Sequence, residues 1–517
     1  MSNGRGMLGA FLTVGGWTMI SRILGLIRDL FLAAFLGAGA VAEAFQAAFA
    51  LPNLFRRFFA EGAFNLAFVP IYSKKLEAGE DDTAFASNAL SALAGILIIL
   101  TLIAQLIMPA LIYMMASGFA GDGRFELSVD LARIIFPYVL FISLAAVMSG
   151  ILNARGHFAI AAAAPVALNI VLIAAMLLAY FMAWDIGFAL SWAVFIAGII
   201  QFGLVYWGIS RLGMKITWGL PKMNSDMKRL LKIILPAVLT GGVIQINLLI
   251  GRQVASYFEG AYAWLYYADR LYQLPLGVVG IAIGIVLLPN LSRALAAADD
   301  AAGQNAFNRS LEFGLILTIP CAVALILIPL PLISILFERG AFEFSDSQAT
   351  AAALAIYGIG LPAFVGQKII QPLYFAREDT QTPFRYALVA MIVNAVLAIG
   401  LSFYIGYLAA AVGTTLSAWA MLGLLWYNSR DLGEAARFDG QLLFRTPRII
   451  AASLIMGLVI LGVYWLAEDF FFTGGLRYIA LAILIAIGAA TYGAALLALK
   501  AITIEEFKGF IRRRSAS

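Results

Sequence analysis

Apolar runs of roughly 20 residues or more, separated by short polar segments, recur along the whole chain. A helix needs about 20 apolar residues to cross the hydrocarbon core of a bilayer. Against that length the pattern predicts fourteen spans, at 7–36, 41–73, 84–116, 127–151, 158–183, 186–210, 230–258, 261–291, 307–336, 348–374, 384–403, 406–429, 446–467 and 475–499. The runs lack two-residue alternation and are too long for barrel strands, so the expected fold is an all-α polytopic membrane protein. Gly15, Gly16, Gly25, Pro52 and Pro275 fall inside spans, where neighbouring helices can satisfy freed backbone groups.

Composition sharpens this. The 517 residues are 63% hydrophobic and only 12% charged, whereas soluble domains carry about 25% charged residues. Interior volume grows too slowly with length to hide that much apolar surface in water. A soluble enzyme, a disordered chain and a nucleic-acid-binding domain are therefore excluded. The single cysteine, Cys321, rules out an internal disulfide, and the single histidine, His157, rules out a His-ligated metal centre. No Gly-Lys dipeptide occurs, so a phosphate-binding loop for ATP is missing. No metal, cofactor or catalytic residue is expected.

The distribution of Lys and Arg predicts orientation. With an even span count both termini lie on one side, and the loops there carry Lys74, Lys75, Arg155, Arg211, Lys215, Lys222, Lys228, Arg229, Arg293, Arg377, Arg430, Arg437, Arg445, Lys508 and Arg512 to Arg514. The opposite loops carry little beyond Arg124, Arg339 and Arg477. Both termini are expected in the cytoplasm. Four matches at a spacing of about 219 to 227 residues point to an internal duplication: Leu12–Gly16 with Leu239–Gly242, Val69–Lys74 with Leu288–Arg293, Ala154-Arg155 with Ala376-Arg377, and Ser210–Gly213 with Ser429–Gly433. Six spans per repeat give both repeats the same orientation, hence two pseudo-symmetric lobes around a central cavity. The expected organisation is an N-terminal lobe at 1–215, a C-terminal lobe at 216–440, two additional helices at 441–500 and a basic amphipathic tail at 501–517. The tail reads as an anchor on anionic headgroups.

Candidate chemistry lies in charges that interrupt the spans. Arg22, Arg28 and Asp29 fall in the first, Arg56, Arg57 and Glu61 in the second, and Asp269 and Arg270 in the eighth. A charge near the bilayer centre costs at least about 2.5–3.5 kcal/mol and normally faces a water-filled cavity or a partner. Five arginines against three acids leave the set net positive, so the cavity should attract an anion. Every cation is Arg rather than Lys, and the forked guanidinium matches phosphate bidentately. Arg57 and Glu61, like Asp269 and Gln273, are four residues apart and share a helix face. Arg22 and Asp29 share a stripe, whereas Arg28 points elsewhere on a straight helix unless Gly25 allows a bend. Arg28 and Arg270 read as direct anion ligands. Arg57–Glu61 and Asp269–Arg270 also read as static ion pairs. Asn169 and Asn394, at equivalent places in the two lobes, read as interhelical hydrogen-bonding residues.

Three segments resemble a known family. Ser21 to Asp29 is similar to the first-helix motif of the MurJ (MviN) lipid II flippases. Leu51 to Phe64, including Asn53, Arg56, Arg57 and Glu61, followed by Ala67 to Pro70, is similar to its second-helix motif, and Tyr267 to Leu271 to its eighth. The resemblance covers essentially the whole chain. It implies membership of the multidrug/oligosaccharidyl-lipid/polysaccharide exporter superfamily. It also implies translocation of lipid II, an undecaprenyl diphosphate bearing a disaccharide-pentapeptide, across the bacterial cytoplasmic (inner) membrane by alternating access. The helices in 441–500 would form a groove for the lipid tail. The implied substrate-binding residues are Arg22, Arg28, Asp29, Asn53, Arg56, Arg57, Glu61, Asp269, Arg270 and Gln273. The implied partners are lipid II, membrane phospholipids and cell-wall synthesis proteins, with no nucleic acid. Gln273 stands where some relatives have an acid. Some members hold sodium through acids of the seventh and eleventh helices. Gln245, Asn247 and Asn394 occupy those helices here, so no sodium site is carried over. The alternative is a flippase for another polyprenyl-diphosphate-linked oligosaccharide. A membrane-embedded glycan polymerase would need large outer loops, and the longest, near 117–126 and 337–347, are short.

Overall fold

The computed structural model describes residues 3–57, 64–472, 474–503 and 505. The described regular structure is helical throughout. The helices are α1 (Asn3–Leu36), α2 (Ala40–Arg56), α3 (Asn65–Ala78), α4 (Asp82–Leu106), α5 (Met108–Met115), α6 (Gly123–Ile135), α7 (Tyr138–Ala154), α8 (Phe158–Met182), α9 (Ile186–Arg211) and α10 (Ser225–Ser256). They continue with α11 (Ala261–Ala296), α12 (Asp300–Leu327), α13 (Pro329–Phe337), α14 (Phe344–Phe375), α15 (Gln381–Ile405), α16 (Leu408–Ser429), α17 (Gly440–Leu466), α18 (Glu468–Phe472) and α19 (Leu476–Ala498). Among the described residues, every expected span falls on helix. Among the described residues nine helices are by themselves long and apolar enough to cross a bilayer, and α6 with α7 forms a tenth, bent by 43°.

Three expected spans are broken rather than continuous. The run 84–116 divides into α4 and α5 at Ile107, 127–151 divides near Phe136-Pro137, and 307–336 divides into α12 and α13 at Ile328. A proline follows each break closely: Pro109, Pro137 and Pro329. Proline lacks an N–H and clashes with the preceding turn, so it ends one helix and suits the first turn of the next.

The chain packs as two compact units, residues 1–263 with 339–342, and residues 264–338 with 343–517. Compactness thus divides the chain elsewhere than the repeats do, because α10 docks on the first unit. Gln253 of α10 accepts from the Ser117 N–H at 2.7 Å and donates to the Met114 carbonyl at 2.8 Å. The Gly118 N–H donates to Ser256 Oγ at 2.9 Å.

The core of the first unit has two layers. One gathers Phe68, Tyr72, Phe85, Leu90, Met148 and Val205, and the other Phe45, Leu51, Ile112, Leu131, Tyr138 and Leu190. The turn 339–342 belongs to this unit through a main-chain crossing on α1. The Ala341 N–H donates to the Ala34 carbonyl at 2.8 Å. Gly37 and Gly340 both have positive φ, and a Cβ on Gly340 would stand 2.1 Å from the Ala34 oxygen. Only glycine allows that approach.

In the second unit α17 and α19 pack on each other and on α12. Tyr492 donates to the Ile316 carbonyl at 2.7 Å, and Gly457 lets α17 approach Val323. Near the α12–α17 contact, Arg309 pairs with Glu312 and Asp439, while Arg445 reaches Glu312 at 3.2 Å.

Candidate functional site

On α1, Arg28 and Asp29 are buried, with 7% and 3% of their surface exposed. Arg28 donates from Nε and Nη2 to one Asp29 oxygen, at 3.0 and 2.7 Å. Its Nη1 donates to Asn169 Oδ1 at 3.0 Å, and Asn169 Nδ2 donates to the Ser21 carbonyl at 3.0 Å. Asn169 sits near the middle of α8, so this cluster lies deep within the helix bundle of the first unit. Gly25 faces Asn169, where a Cβ would make ordinary contact at 3.8 Å. The helical stripe places Arg22 with Asp29; the structure pairs Asp29 with its neighbour Arg28 instead. The stripe describes Cβ directions, and the long arginine side chain reaches back around the helix. Arg22 is half-buried, and among the described residues it has no ion-pair partner.

On α2, Asn53 donates to the Phe49 carbonyl of its own helix at 2.8 Å. Arg56 is half-buried and Arg57 exposed; the Arg57 N–H closes the helix on the Asn53 and Leu54 carbonyls. Glu61, and with it the expected Arg57–Glu61 pair, lies outside the described residues.

In the second unit, α11 carries Asp269, Arg270 and Gln273. Gln273 donates to the Asp269 carboxylate, as the four-residue spacing predicts. Arg270 donates from Nη2 to the Tyr266 hydroxyl at 3.0 Å, with its guanidinium 4.6 Å from the centre of that ring. Tyr266, one turn earlier, thus holds Arg270 both by hydrogen bond and by cation–π attraction. The structure therefore brings together Arg28 with Asp29, and Asp269 with Gln273.

Asn169, read from the sequence as an interhelical hydrogen-bonding residue, does join two helices, but its partner Arg28, 141 residues away, is named only by the structure. Two further partners escape sequence reasoning altogether. Tyr266 looks like an ordinary helix aromatic. Glu43 is fully buried on α2, where it accepts from Arg124 Nη1 at 2.8 Å and from the Tyr262 N–H at 3.0 Å. An acid in the first turn of a helix is commonplace, so Glu43 carries no signal of its own. Arg124 also lies over Phe119 at 4.5 Å and pairs with Asp122 at 2.7 Å. Hydrogen bonding to Arg124 holds the Asp122 carboxyl below its usual value of 3.8.

Asn169→Ala is expected to lower stability by about 1–3 kcal/mol, because it strips hydrogen bonds from a buried guanidinium and from the Ser21 carbonyl. Thermal unfolding in detergent reads the loss. An unchanged midpoint would mean that Arg28 is held without α8.

A family profile described as lipid II flippase MurJ matches residues 32–485. A curated relative, the probable lipid II flippase MurJ of Rhizobium tropici, is 45% identical over 457 residues, covering 87% of this chain and 86% of the relative. The lipid II flippase MurJ of Burkholderia cenocepacia is 36% identical over 476 residues, covering 90% of this chain and 91% of its own. A solved structure of a lipid II flippase MurJ in an inward closed conformation superposes with a TM-score of 0.79 at 28% identity, covering 93% of this chain and 97% of that one. An inward-facing multidrug resistance MATE family transporter of the MOP superfamily superposes with a TM-score of 0.68 at 14% identity, covering 82% and 98%. That last likeness concerns the fold alone.

Proposed function

The chain belongs to the lipid II flippase MurJ family, and from that premise we propose how this multi-pass membrane protein carries its cargo. It moves lipid II from the cytoplasmic to the outer leaflet of the bacterial inner membrane, with both termini in the cytoplasm. Two lobes alternate in access to the two sides, and a loaded state shifts their equilibrium through differential affinity.

The observation that carries the reading is the placement of guanidinium groups inside apolar helices. Arg28 is buried on α1, and Arg270 is oriented by Tyr266 on α11. A polyprenyl diphosphate is an anion with a long apolar tail. Its head needs forked cationic donors to leave water, while its tail stays in lipid. Arg28 and Arg270 bind the diphosphate, and Arg22, Arg56 and Arg57 draw it in. Asp29, Asn53, Glu61, Asp269 and Gln273 orient these cations or meet the sugar hydroxyls. The helices α17 and α19 hold the tail.

The test is translocation by the purified protein in liposomes, comparing lipid II with a polyprenyl diphosphate that bears a different glycan. Wild type should flip lipid II selectively, and Arg270→Ala should lose that activity while remaining folded. Equal flipping of both lipids would move the assignment to a general polyprenyl-diphosphate exporter.

A further inference from the structure

Between α9 and α10 the chain runs as an extended strap, residues 212–224, with no helix of its own. Its side chains alternate. Met214 and Ile216 are buried in the first unit's core, while Lys215 and Thr217 are exposed. Beyond them the strap climbs α4. The Thr217 N–H donates to Ser87 Oγ at 3.1 Å and the Gly219 N–H to Ser91 Oγ at 3.3 Å. The strap then turns back, and Asn88 exchanges two hydrogen bonds with the Lys222 backbone, at 2.7 and 2.8 Å.

Two helices measure how far the strap reaches. Ser91 lies nine residues inside the start of α4, and Phe202, whose ring is 6.4 Å from that of Trp218, lies nine residues inside the end of α9. Nine helical residues span about 13 Å, so the strap covers more than two turns of each helix. On α9, Arg211 stacks on Trp207 at 4.0 Å, the kind of pair that marks the interface. Phe202, which meets Trp218, lies about 7 Å further along α9 than Trp207 by the same helical rise. Ser87, Ser91 and Asn88 thus take up the N–H groups of Thr217, Gly219 and Lys222 and the Lys222 carbonyl.

The strap presents apolar side chains outward: Leu220 is 94% exposed, Met223 60% and Trp218 45%. Its surroundings are basic. Residues 213–232 carry Lys215, Lys222, Lys228, Arg229 and Lys232 against one acid, Asp226, and that acid pairs with Lys75 at 3.0 Å. A cavity of about 450 Å³ lies beside the strap, lined by Lys222, Asn88, Ser91, Trp218 and Lys75. Two carboxylates border it: Asp226, and Asp81, which caps α4 by accepting from the Ala84 N–H.

We propose that the 212–224 strap is a membrane-interface docking surface for anionic phospholipid. Trp218, Leu220 and Met223 enter the upper acyl region, and Lys215 and Lys222 engage the headgroup phosphates. The chemistry follows from the order along the strap: Lys215 and Lys222 on the two arms, Trp218 and Leu220 between them at the apex, and Met223 next to the second lysine. Each lysine near an anionic surface is worth about 1 kcal/mol, equivalent to about a fivefold local enrichment of the anionic lipid.

The single native cysteine makes the test clean. Leu220→Cys in a Cys321→Ala background, labelled with an environment-sensitive fluorophore, is reconstituted in phosphatidylcholine vesicles with phosphatidylglycerol added. Met223→Cys supplies a second, independent probe position. The expected result is blue-shifted emission, quenched by spin labels placed high on the acyl chain. Spin-labelled phosphatidylglycerol should quench more than spin-labelled phosphatidylcholine at equal content. That excess should fall toward parity when Lys215 and Lys222 become Gln. Water-like emission at both positions, or equal quenching by the two lipids in the unmutated strap, would overturn the proposal.

Discussion

An Arg28→Ala variant is expected to reach the membrane and to move no lipid II. The guanidinium is buried, and it is aimed by three hydrogen bonds, two to Asp29 and one to Asn169. A hydrogen bond to a charged group is worth about 1.5–3 kcal/mol, so losing the guanidinium's contact should lower headgroup affinity at least about tenfold. Arg28→Lys keeps the charge but lacks the planar fork, and it should also fail. Removing the guanidinium deprives the Asp29 carboxylate of two hydrogen bonds as well. The double variant Arg28→Ala/Asp29→Asn therefore separates the two roles. It removes the carboxylate's charge along with the cation, and should recover stability without recovering transport. Transport restored in the double variant would show that Arg28 serves only as a static partner within the bundle.

The largest stability loss is expected on the Glu43 side of the first unit. Arg124→Leu would leave the fully buried Glu43 carboxylate with the Tyr262 N–H but without its cation. Breaking a buried pair from one side costs about 3–5 kcal/mol. The variant should unfold at a markedly lower temperature in detergent. Adding Glu43→Gln, which removes the stranded charge, should return much of the loss. A normal unfolding temperature for Arg124→Leu alone would mean that water reaches Glu43. The same cluster makes an acid-side prediction. The native carboxyl of Asp122 is held below 3.8 by hydrogen bonding to Arg124. Its contribution to stability is therefore complete above the unfolded value and is lost as pH falls through the depressed one. Arg124→Leu keeps the backbone N–H that Asp122 also accepts but removes the guanidinium, and should shrink that component of acid sensitivity, read as the slope of unfolding temperature against pH.

The helices were legible along the chain because each is a long apolar run, and the breaks at Ile107, Phe136 and Ile328 coincide with prolines already visible there. The family was legible too, since its motifs concentrate around Arg28, Arg56 and Arg270. What could not be read was the partner of a charge on another helix. Glu43 and Arg124 are 81 residues apart, and Arg309 and Asp439 are 130 apart. Helical periodicity relates residues three, four and seven apart and is silent about which faces meet. The placement of α10 was hidden for the same reason. Its repeat counterpart suggests the second lobe, but Gln253 and Ser256 fasten it to the first unit.

The sequence by itself thus determined the solvent of this protein and its helical class, while three spans expected to be continuous proved broken. Solvent and class are local properties of composition and spacing, and the bilayer enforces them on any chain with such runs. Only the tertiary structure decided that Asp29 and Asn169 hold Arg28, that Tyr266 orients Arg270, that Glu43 is buried against Arg124, and that the 212–224 strap rests on α4. A buried charge must find a partner; which one it finds depends on helix faces brought together from distant parts of the chain.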